Sequence, residues 1–479
     1  MSEPKRLHPA AVIFSVIRIL KNLIYVISAG VIAAFGQDMF IYVALGLFVL
    51  IVLLIGISIV EWARFRYYIY DDELRIEQGV FIRKHRYISK HRIQSIDLTQ
   101  GVIHRMLKLT KVKIETAGSG TETEASLSAV TFAEGQAIRD ELKSRAHVES
   151  SDDEAEEPDY PQEQITLGRL IIAGSTSGSV GVILGLLAVG FSELERFIPE
   201  AAYDQAMTWM VSSAVEVLIF LALVMFILLW VLGILGTIIK YGRFQITRYD
   251  TELFMTRGLL EKKQMTVPLK RIQAIGFKET PIRQPFGFGT LYVEIAGGGL
   301  EGENVNARTF LFPIIKQDEV ATFLQKMLPE YQAFPTAFER VPKRTIYYYG
   351  FRTVFFPVIA LIAILIWLPF VWYVPVVLIV LALGLAWLRR QTAGYAMDDQ
   401  HLTLTYREFS KDTVMMKHNR VQAFEKRQSI LHRKHGLATV KASLLNHFAG
   451  RHVILREVNE ADADRMADWY SLRQEHAHD

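Results

Sequence analysis

Between Arg83 and Arg92 the sequence reads Arg-Lys-His-Arg-Tyr-Ile-Ser-Lys-His-Arg, so seven of ten residues are arginine, lysine or histidine. Such side chains bind anions, and histidine can also ligate metals or move protons. Against an acidic membrane surface each lysine or arginine contributes about 1 kcal/mol of attraction. Arg83, Lys84, Arg86, Lys90 and Arg92 are therefore candidates for contact with anionic lipid headgroups. Weaker counterparts lie at Lys262, Lys263, Lys270 and Arg271, and again at Lys417, His418, Arg420 and His432–His435. A protein partner, or membrane-side charge without a specific ligand, accounts for the same residues. The run's one aromatic residue, Tyr87, does not make an interleaved stacking platform, which sets nucleic acid aside.

Metal and catalytic readings have less to stand on. His432 and His435, like His85 and His91, sit among cations with no carboxylate close in sequence, a poor setting for a divalent ion. The chain has no cysteine, which removes disulfides, thiolate chemistry and cysteine-ligated clusters. There is no nucleophile elbow, phosphate loop or dinucleotide fingerprint. Gly287-Phe-Gly289 and Gly297–Gly299 are isolated turn signals. No catalytic residue, metal or cofactor is assigned, and the expectation is a protein that is not an enzyme.

A short triplet recurs as Arg92-Ile-Gln94, Arg271-Ile-Gln273 and Arg420-Val-Gln422. Residues two apart face the same side of a strand. The arginine is expected to pair with an acidic neighbour at a rim and the glutamine to bond a loop. Recurrence in three copies fits structure better than catalysis.

The elements that position these residues form three repeats. Gly79 and Gly258, Arg92 and Arg271, and Glu115 and Glu294 lie at one constant offset. A weaker third copy carries Asp399, Leu402, Arg420, Gln422 and Gly436, with Arg407 where the first two have glycine. Each copy follows a pair of apolar runs of membrane-spanning length: 20–35 and 40–60, 167–191 and 211–239, 351–370 and 372–388. Arginines and lysines follow the second run of each pair, at Arg64, Arg66, Lys240, Arg243, Arg389 and Arg390. The connecting turns are neutral or acidic, so the positive-inside rule places both termini and all soluble domains in the cytoplasm. Gly174, Gly178, Gly181 and Gly185 fall on one helix face, where helix backbones can approach closely. The span interiors are nearly free of charge. That disfavours the alternative of a transporter or lipid flippase built through a six-helix bundle.

Within each soluble repeat, short alternating runs predict strands, and the repeat ends in an amphipathic helix near 134–145, 319–328 and 461–474. The segment 149–159 holds seven carboxylates and reads as a solvated spacer.

The His8-Pro9 start, the paired apolar runs, the Asp-x-x-Leu hairpin, Gly79 and Gly258, and the Arg-Ile-Gln triplets together resemble the bacterial pleckstrin-homology-like (PH-like) membrane proteins, in particular their three-repeat members. The resemblance covers nearly the whole chain. It implies a PH-like β-barrel in each repeat, a plasma-membrane location and a non-enzymatic role, in some relatives one in envelope stress or antimicrobial-peptide tolerance. The expected architecture is an α+β membrane protein with six transmembrane helices in three hairpins, each followed by a small barrel capped by a C-terminal helix. The hairpins occupy 1–62, 165–241 and 346–390, and the PH-like domains 63–147, 242–330 and 391–475. Linkers fall at 148–164 and 331–345. The expected partners are membrane lipids, acidic ones above all, with a protein in the same membrane as a further candidate.

Overall fold

The computed structural model describes residues 4–34, 40–70, 73–80, 82–116, 125–143, 160–178, 205, 208, 215–296, 308–331, 333–367, 372–445 and 451–475. The acidic spacer 149–159, the turns 36–39 and 192–204, Gly181 and Gly185 lie outside them.

The first repeat supplies strands β1 (Arg66–Ile69), β2 (Glu73–Gln78), β3 (Lys84–Ser89), β4 (Ile93–Gln100), β5 (Leu109–Thr116) and β6 (Ala125–Thr131), then helix Phe132–Lys143. The second supplies β7 (Gln162–Gln164), β8 (Gln245–Arg248), β9 (Glu252–Arg257), β10 (Lys262–Pro268), β11 (Ile272–Glu279), β12 (Phe288–Ile295) and β13 (Arg308–Lys316), then helix Val320–Met327. The third supplies β14 (Glu339–Arg340), β15 (Gly394–Met397), β16 (His401–Arg407), β17 (Lys411–Lys417), β18 (Val421–Arg427), β19 (Leu437–Leu444) and β20 (Arg451–Asn459), then helix Glu460–Glu475. Period-two alternation makes the strands: in β5, Val112 and Ile114 are buried while Lys111, Lys113 and Glu115 are less so.

The chain folds as two compact units, and they are not the repeats. One comprises Met1–Tyr160, Arg243–Gln245 and Tyr249–Pro268; the other comprises Pro161–Gly242, Ile246–Arg248 and Leu269–Asp479. Their boundary passes through the middle of the second repeat.

In the first unit, β1-β2-β3 form one sheet, and a second runs β6-β5-β4-β10-β9. The two sheets of the first repeat enclose a core of Tyr67, Leu74, Ile76 and Ile88 against Ile96, Leu98, Val112, Ile114 and Leu127, closed by Ile138 and Leu142 of the helix. A fully buried side chain of this size contributes about 1.5–3 kcal/mol. Strand β10 belongs to the second repeat, yet it pairs with β4 of the first, Lys262 opposite Gln100 and Gln264 opposite Leu98. The backbone N–H of Thr266 donates to the buried Asp97 carboxylate at 3.2 Å.

The second unit repeats this arrangement. Its larger sheet runs β13-β12-β11-β17-β16-β15-β14, and its smaller one β18-β19-β20. Strand β11 of the second repeat pairs with β17 of the third, from Ala274 opposite Met416 to Glu279 opposite Lys411. The third repeat's core sets Tyr395, Leu402, Leu404, Val414 and Met416 against Val440, Ala442, Val453, Leu455 and Met466.

The expected closed barrel per repeat is therefore corrected to two open sheets per repeat. The edge of β4 or β11 that closure would use is taken by a strand of the next repeat, β10 or β17. The Arg-Ile-Gln triplet is corrected too. Arg92, Arg271 and Arg420 end a 3-10 turn, and the strand begins only at the next residue. Arg271 donates to the Ala296 carbonyl at 2.9 Å, and Gln273 donates to the Arg271 carbonyl at 3.1 Å.

Among the described residues, four helices are long and apolar enough to cross a membrane: Ile41–Arg64, Val215–Tyr241, Lys343–Trp367 and Tyr373–Thr392. Helix Ala11–Ala34 packs against Phe40–Arg64, Leu167–Ser175 against Val215–Tyr241, and Ile346–Trp367 against Tyr373–Thr392. The first expected span is not among those four, and the third is described only to Gly178.

Because β4 relies on β10 for its second edge, a chain ending at Gln164 bares a row of strand N–H and C=O groups that the intact protein covers. Such a truncated protein is expected to self-associate in detergent by light scattering. A monodisperse monomer would contradict the shared sheet.

Candidate membrane-facing site

The ends of the apolar helices fix which loops of the soluble repeats lie beside them. In the first repeat, Arg64 ends helix Phe40–Arg64 and donates through Nη1 to the Val80 carbonyl, in the loop between β2 and β3. Phe14, near the start of helix Ala11–Ala34, stacks on His104, in the loop between β4 and β5, with centroids 3.7 Å apart. Burial lowers the His104 pKa below its ordinary value, and the ring also meets the Ser128 carbonyl at 3.0 Å. In the third repeat, Arg389 near the end of helix Tyr373–Thr392 donates to the Glu408 carbonyl at 2.8 Å, and Tyr348 donates to the Leu431 carbonyl at 3.2 Å. In the second, Arg283 donates to Thr176 Oγ1 at 2.9 Å and to the Ala173 carbonyl at 3.0 Å.

These loops carry large apolar side chains that the protein leaves uncovered. In the first unit they are Ile82, 74 % exposed, Val102, Met106 at 79 %, and Leu260. In the second they are Ile282, Phe286, Phe409 at 69 %, and Ile430 at 85 %. Cations follow the tips between β2 and β3, β9 and β10, and β16 and β17: Arg83 and Lys84, Lys262 and Lys263, and Lys411. Two of these loops turn through glycine in the left-handed region, Gly79 at φ 120° and Gly258 at φ 100°. A Cβ on Gly79 would lie 2.0 Å from the Ile82 carbonyl oxygen. In the third repeat Arg407 stands at that position as the last residue of an extended strand.

The basic run does not form one patch. Arg83 and Lys84 lie beside the helix end, whereas Lys90 and Arg92 lie beyond the far end of β3, about 20 Å away at the usual rise of about 3.3 Å per residue. Alternation along β3 puts Arg86 on the side of the buried Ile88. Lys262 and Lys263 open β10 at its tip end, while Lys270 and Arg271 lie in the 3-10 turn past its other end. Lys263 lies 3.5 Å from Glu261. Of the glycines, Gly174 meets helix Val215–Tyr241 closely, since a Cβ there would sit 2.7 Å from Ile234 Cα. Among the described residues, a Cβ at Gly178 would meet nothing within 4 Å.

Sequence reasoning missed a further feature. A cavity of about 520 Å³ opens between the two sheets of the third repeat, beside the ends of helices Ile346–Trp367 and Tyr373–Thr392. One wall is a paired network. Arg308 Nε donates to Glu294 at 3.0 Å, Arg308 Nη2 to Asp412 at 3.3 Å, and Arg451 Nη2 to the Tyr406 hydroxyl at 3.2 Å. Tyr292 donates to Asp412 at 2.6 Å, and Arg352 pairs with the fully buried Glu457. Burial pushes the Glu294 carboxyl above the ordinary carboxylate range against the pull of Arg308 and Arg451. The remaining wall adds Lys278, Arg389, Arg407 and Arg456. These residues come from distant parts of the chain, so no local run betrays them. Arg407, the departure from glycine, was the one available signal.

The bacterial PH domain profile matches residues 16–146, 198–330 and 351–474, which are the three repeats with much of their apolar helices. The chain belongs to the bacterial PH domain family. It is similar to the transmembrane protein YdbT of Bacillus subtilis strain 168, 34 % identical over 99 % of this chain and 99 % of that protein. It is also similar to the transmembrane protein YdbS of the same organism, 30 % identical over 18 % of this chain and 52 % of that one. It is a membrane protein with three PH repeats, and in the first and third the apolar loops lie beside the helices that precede them.

Two substitutions probe these contacts. Gly174→Leu forces a side chain against Ile234 backbone and is expected to lower folded yield, at a cost of about 1–3 kcal/mol, whereas Gly178→Leu is tolerated. Equal yields would contradict the close approach. Arg308→Ala leaves the ionised Glu294 buried with less compensation, a loss of about 3 kcal/mol at neutral pH. Since burial already holds the Glu294 pKa high, its charge is a folded-state cost that grows as pH rises through that value. The variant's deficit in thermal midpoint should therefore shrink as pH falls and Glu294 takes up its proton. A deficit that grows on acidification would contradict it.

Proposed function

We propose that the protein is a non-enzymatic, multi-pass membrane scaffold with six spans in three hairpins. Its termini and PH repeats lie on the cytoplasmic side, and the paired apolar and basic loops of each repeat rest in acidic lipid of the inner leaflet. The observation that carries this reading is the coincidence of three features at one end of the first and third repeats: the ties to the apolar helices, the exposed Ile82, Met106, Phe409 and Ile430, and the adjoining cations. Exposed apolar patches rimmed by polar residues mark interaction sites. An apolar side chain beside lysine and arginine suits the headgroup boundary, where the first is buried and the second attracts acidic lipid. On this reading Arg83, Lys84, Lys262, Lys263 and Lys411 face lipid. Lys90, Arg92, Lys270 and Arg271, at the far ends of their strands, face the cytoplasm, the side from which a soluble protein partner would approach. Residues Ser192–Met210, with four carboxylates against one arginine, lie on the external side.

The chain has no cysteine, so single cysteines report without background. In the intact protein reconstituted with phosphatidylglycerol, a polarity-sensitive label at Met106 or Ile430 is expected to move to an apolar environment, and one at His91 to stay in water. An impermeant reagent should reach position 195 only from outside the cell and position 91 only from inside. Equal label environments at both ends of the repeats, or external reaction at position 91, would sink the proposal.

A further inference from the structure

We propose that the cavity in the third PH repeat is a binding site for a phosphate-bearing anion. Its lining carries more positive charge than its own carboxylates offset. Of the lining carboxylates, Asp412 is already engaged by Arg308, and the neighbouring Glu294 and Glu457, which do not line the space, pair with Arg308 and Arg352. Among the described residues, Lys278, Arg389, Arg407 and Arg456 have no carboxylate within 4 Å, although all four line the same space. Arg407 is only 5 % exposed, and its Nε has no hydrogen-bond partner. Its other nitrogens reach the Phe409 carbonyl at 3.3 Å and the Gln284 side chain, so it is held in place without being neutralised. Arg389 is positioned likewise, by the Glu408 carbonyl at 2.8 Å and Thr353 Oγ1 at 2.9 Å. Glu408 is the one further carboxylate on the lining, and it is exposed.

Positioned guanidinium groups facing a shared space suit phosphate oxygens, which accept forked, charge-assisted hydrogen bonds. Arg407 is buried and Lys278 and Arg389 half-buried, while Arg456 is exposed; withdrawing cations from water without a counter-charge is costly, so an anion in the cavity relieves the first three. A volume of about 520 Å³ accommodates a phospholipid headgroup. In the third repeat Arg407 occupies the place that Gly79 and Gly258 hold in the others. Arg352 and Arg389 belong to the two apolar helices, and the exposed Phe409 sits at the cavity's edge. This position favours a lipid headgroup over free phosphate as the source of the anion. The inference stands apart from the leaflet reading, which concerns the loops and is tested on them.

The test uses intact protein in an uncharged detergent, with phosphatidylglycerol, phosphatidylcholine or inorganic phosphate added, and the double variant Lys278→Gln, Arg456→Gln. Neither residue has a carboxylate partner among the described residues, so the Arg308–Glu294 and Arg352–Glu457 pairs survive the change. Phosphatidylglycerol is expected to raise the thermal midpoint of the natural protein and phosphatidylcholine to leave it in place. The variant should need at least about tenfold more lipid for the same shift, at roughly one charged hydrogen bond lost. A shift produced equally by inorganic phosphate supports the same pocket with a soluble ligand. No anion-dependent shift in the natural protein, or the same dose response in a folded variant, overturns the proposal. Native mass spectrometry of the natural protein gives a reading that needs no variant: acidic phospholipid should be retained in preference to neutral lipid, and equal retention counts against the site.

Discussion

The structure depends on a hydrogen-bonded ladder between repeats. Strand β11 of the second repeat pairs with β17 of the third along its length, and the hydroxyl of the buried Tyr292 donates to Asp412 across the junction. Each ladder bond is worth only about 0.5–1.5 kcal/mol net, but an open edge buried without partners would cost more. The pairing removes that cost and fixes the third repeat's hairpin against the second repeat's sheet. It also brings Lys278 and Arg308 to the same cavity as Arg407 and Arg451. The third repeat and its helices supply most of the cavity's lining, and the second adds Lys278 and Arg308. In the first unit the ladder of β4 with β10 plays the same structural part.

That mode of assembly leaves strands β3 and β18 each with one edge that has no strand partner among the described residues. Both edges carry cations, Lys84, His85 and Arg86 on β3, and Lys426 and Arg427 on β18. Charged edges discourage pairing with further strands. The charge in the first repeat's basic run is thus partly explained by its place on an edge, and only its tip end is close to the apolar helices.

Much of this was legible in the sequence. The three repeats, the strands that alternate in polarity and the terminal helices follow from local pattern, and residues such as Val112, Ile114, Phe323 and Leu324 declare their faces by spacing alone. Strand β3 was not legible, because a strand rich in lysine, histidine and arginine with one buried residue, Ile88, carries charge rather than period. The division of each repeat into two sheets was hidden for another reason. It is set by pairing between strands far apart in the chain, which no window of sequence contains. The cavity was hidden in the same way, its arginines scattered over β13, β16, β20 and two helices. The apolar loops could have been found, because Ile282, Phe286, Ile430 and Leu431 break the polar composition expected of turns.

The central claim is that one end of every repeat meets acidic lipid. Hydrogen–deuterium exchange on the intact protein in nanodiscs, with and without phosphatidylglycerol, measures it directly. The account predicts that acidic lipid slows exchange in loops 79–83, 101–108, 280–287 and 429–435, and leaves the turns 90–92, 269–271 and 418–420 unchanged. Protection of those far turns instead, or the same pattern in neutral nanodiscs, would contradict it.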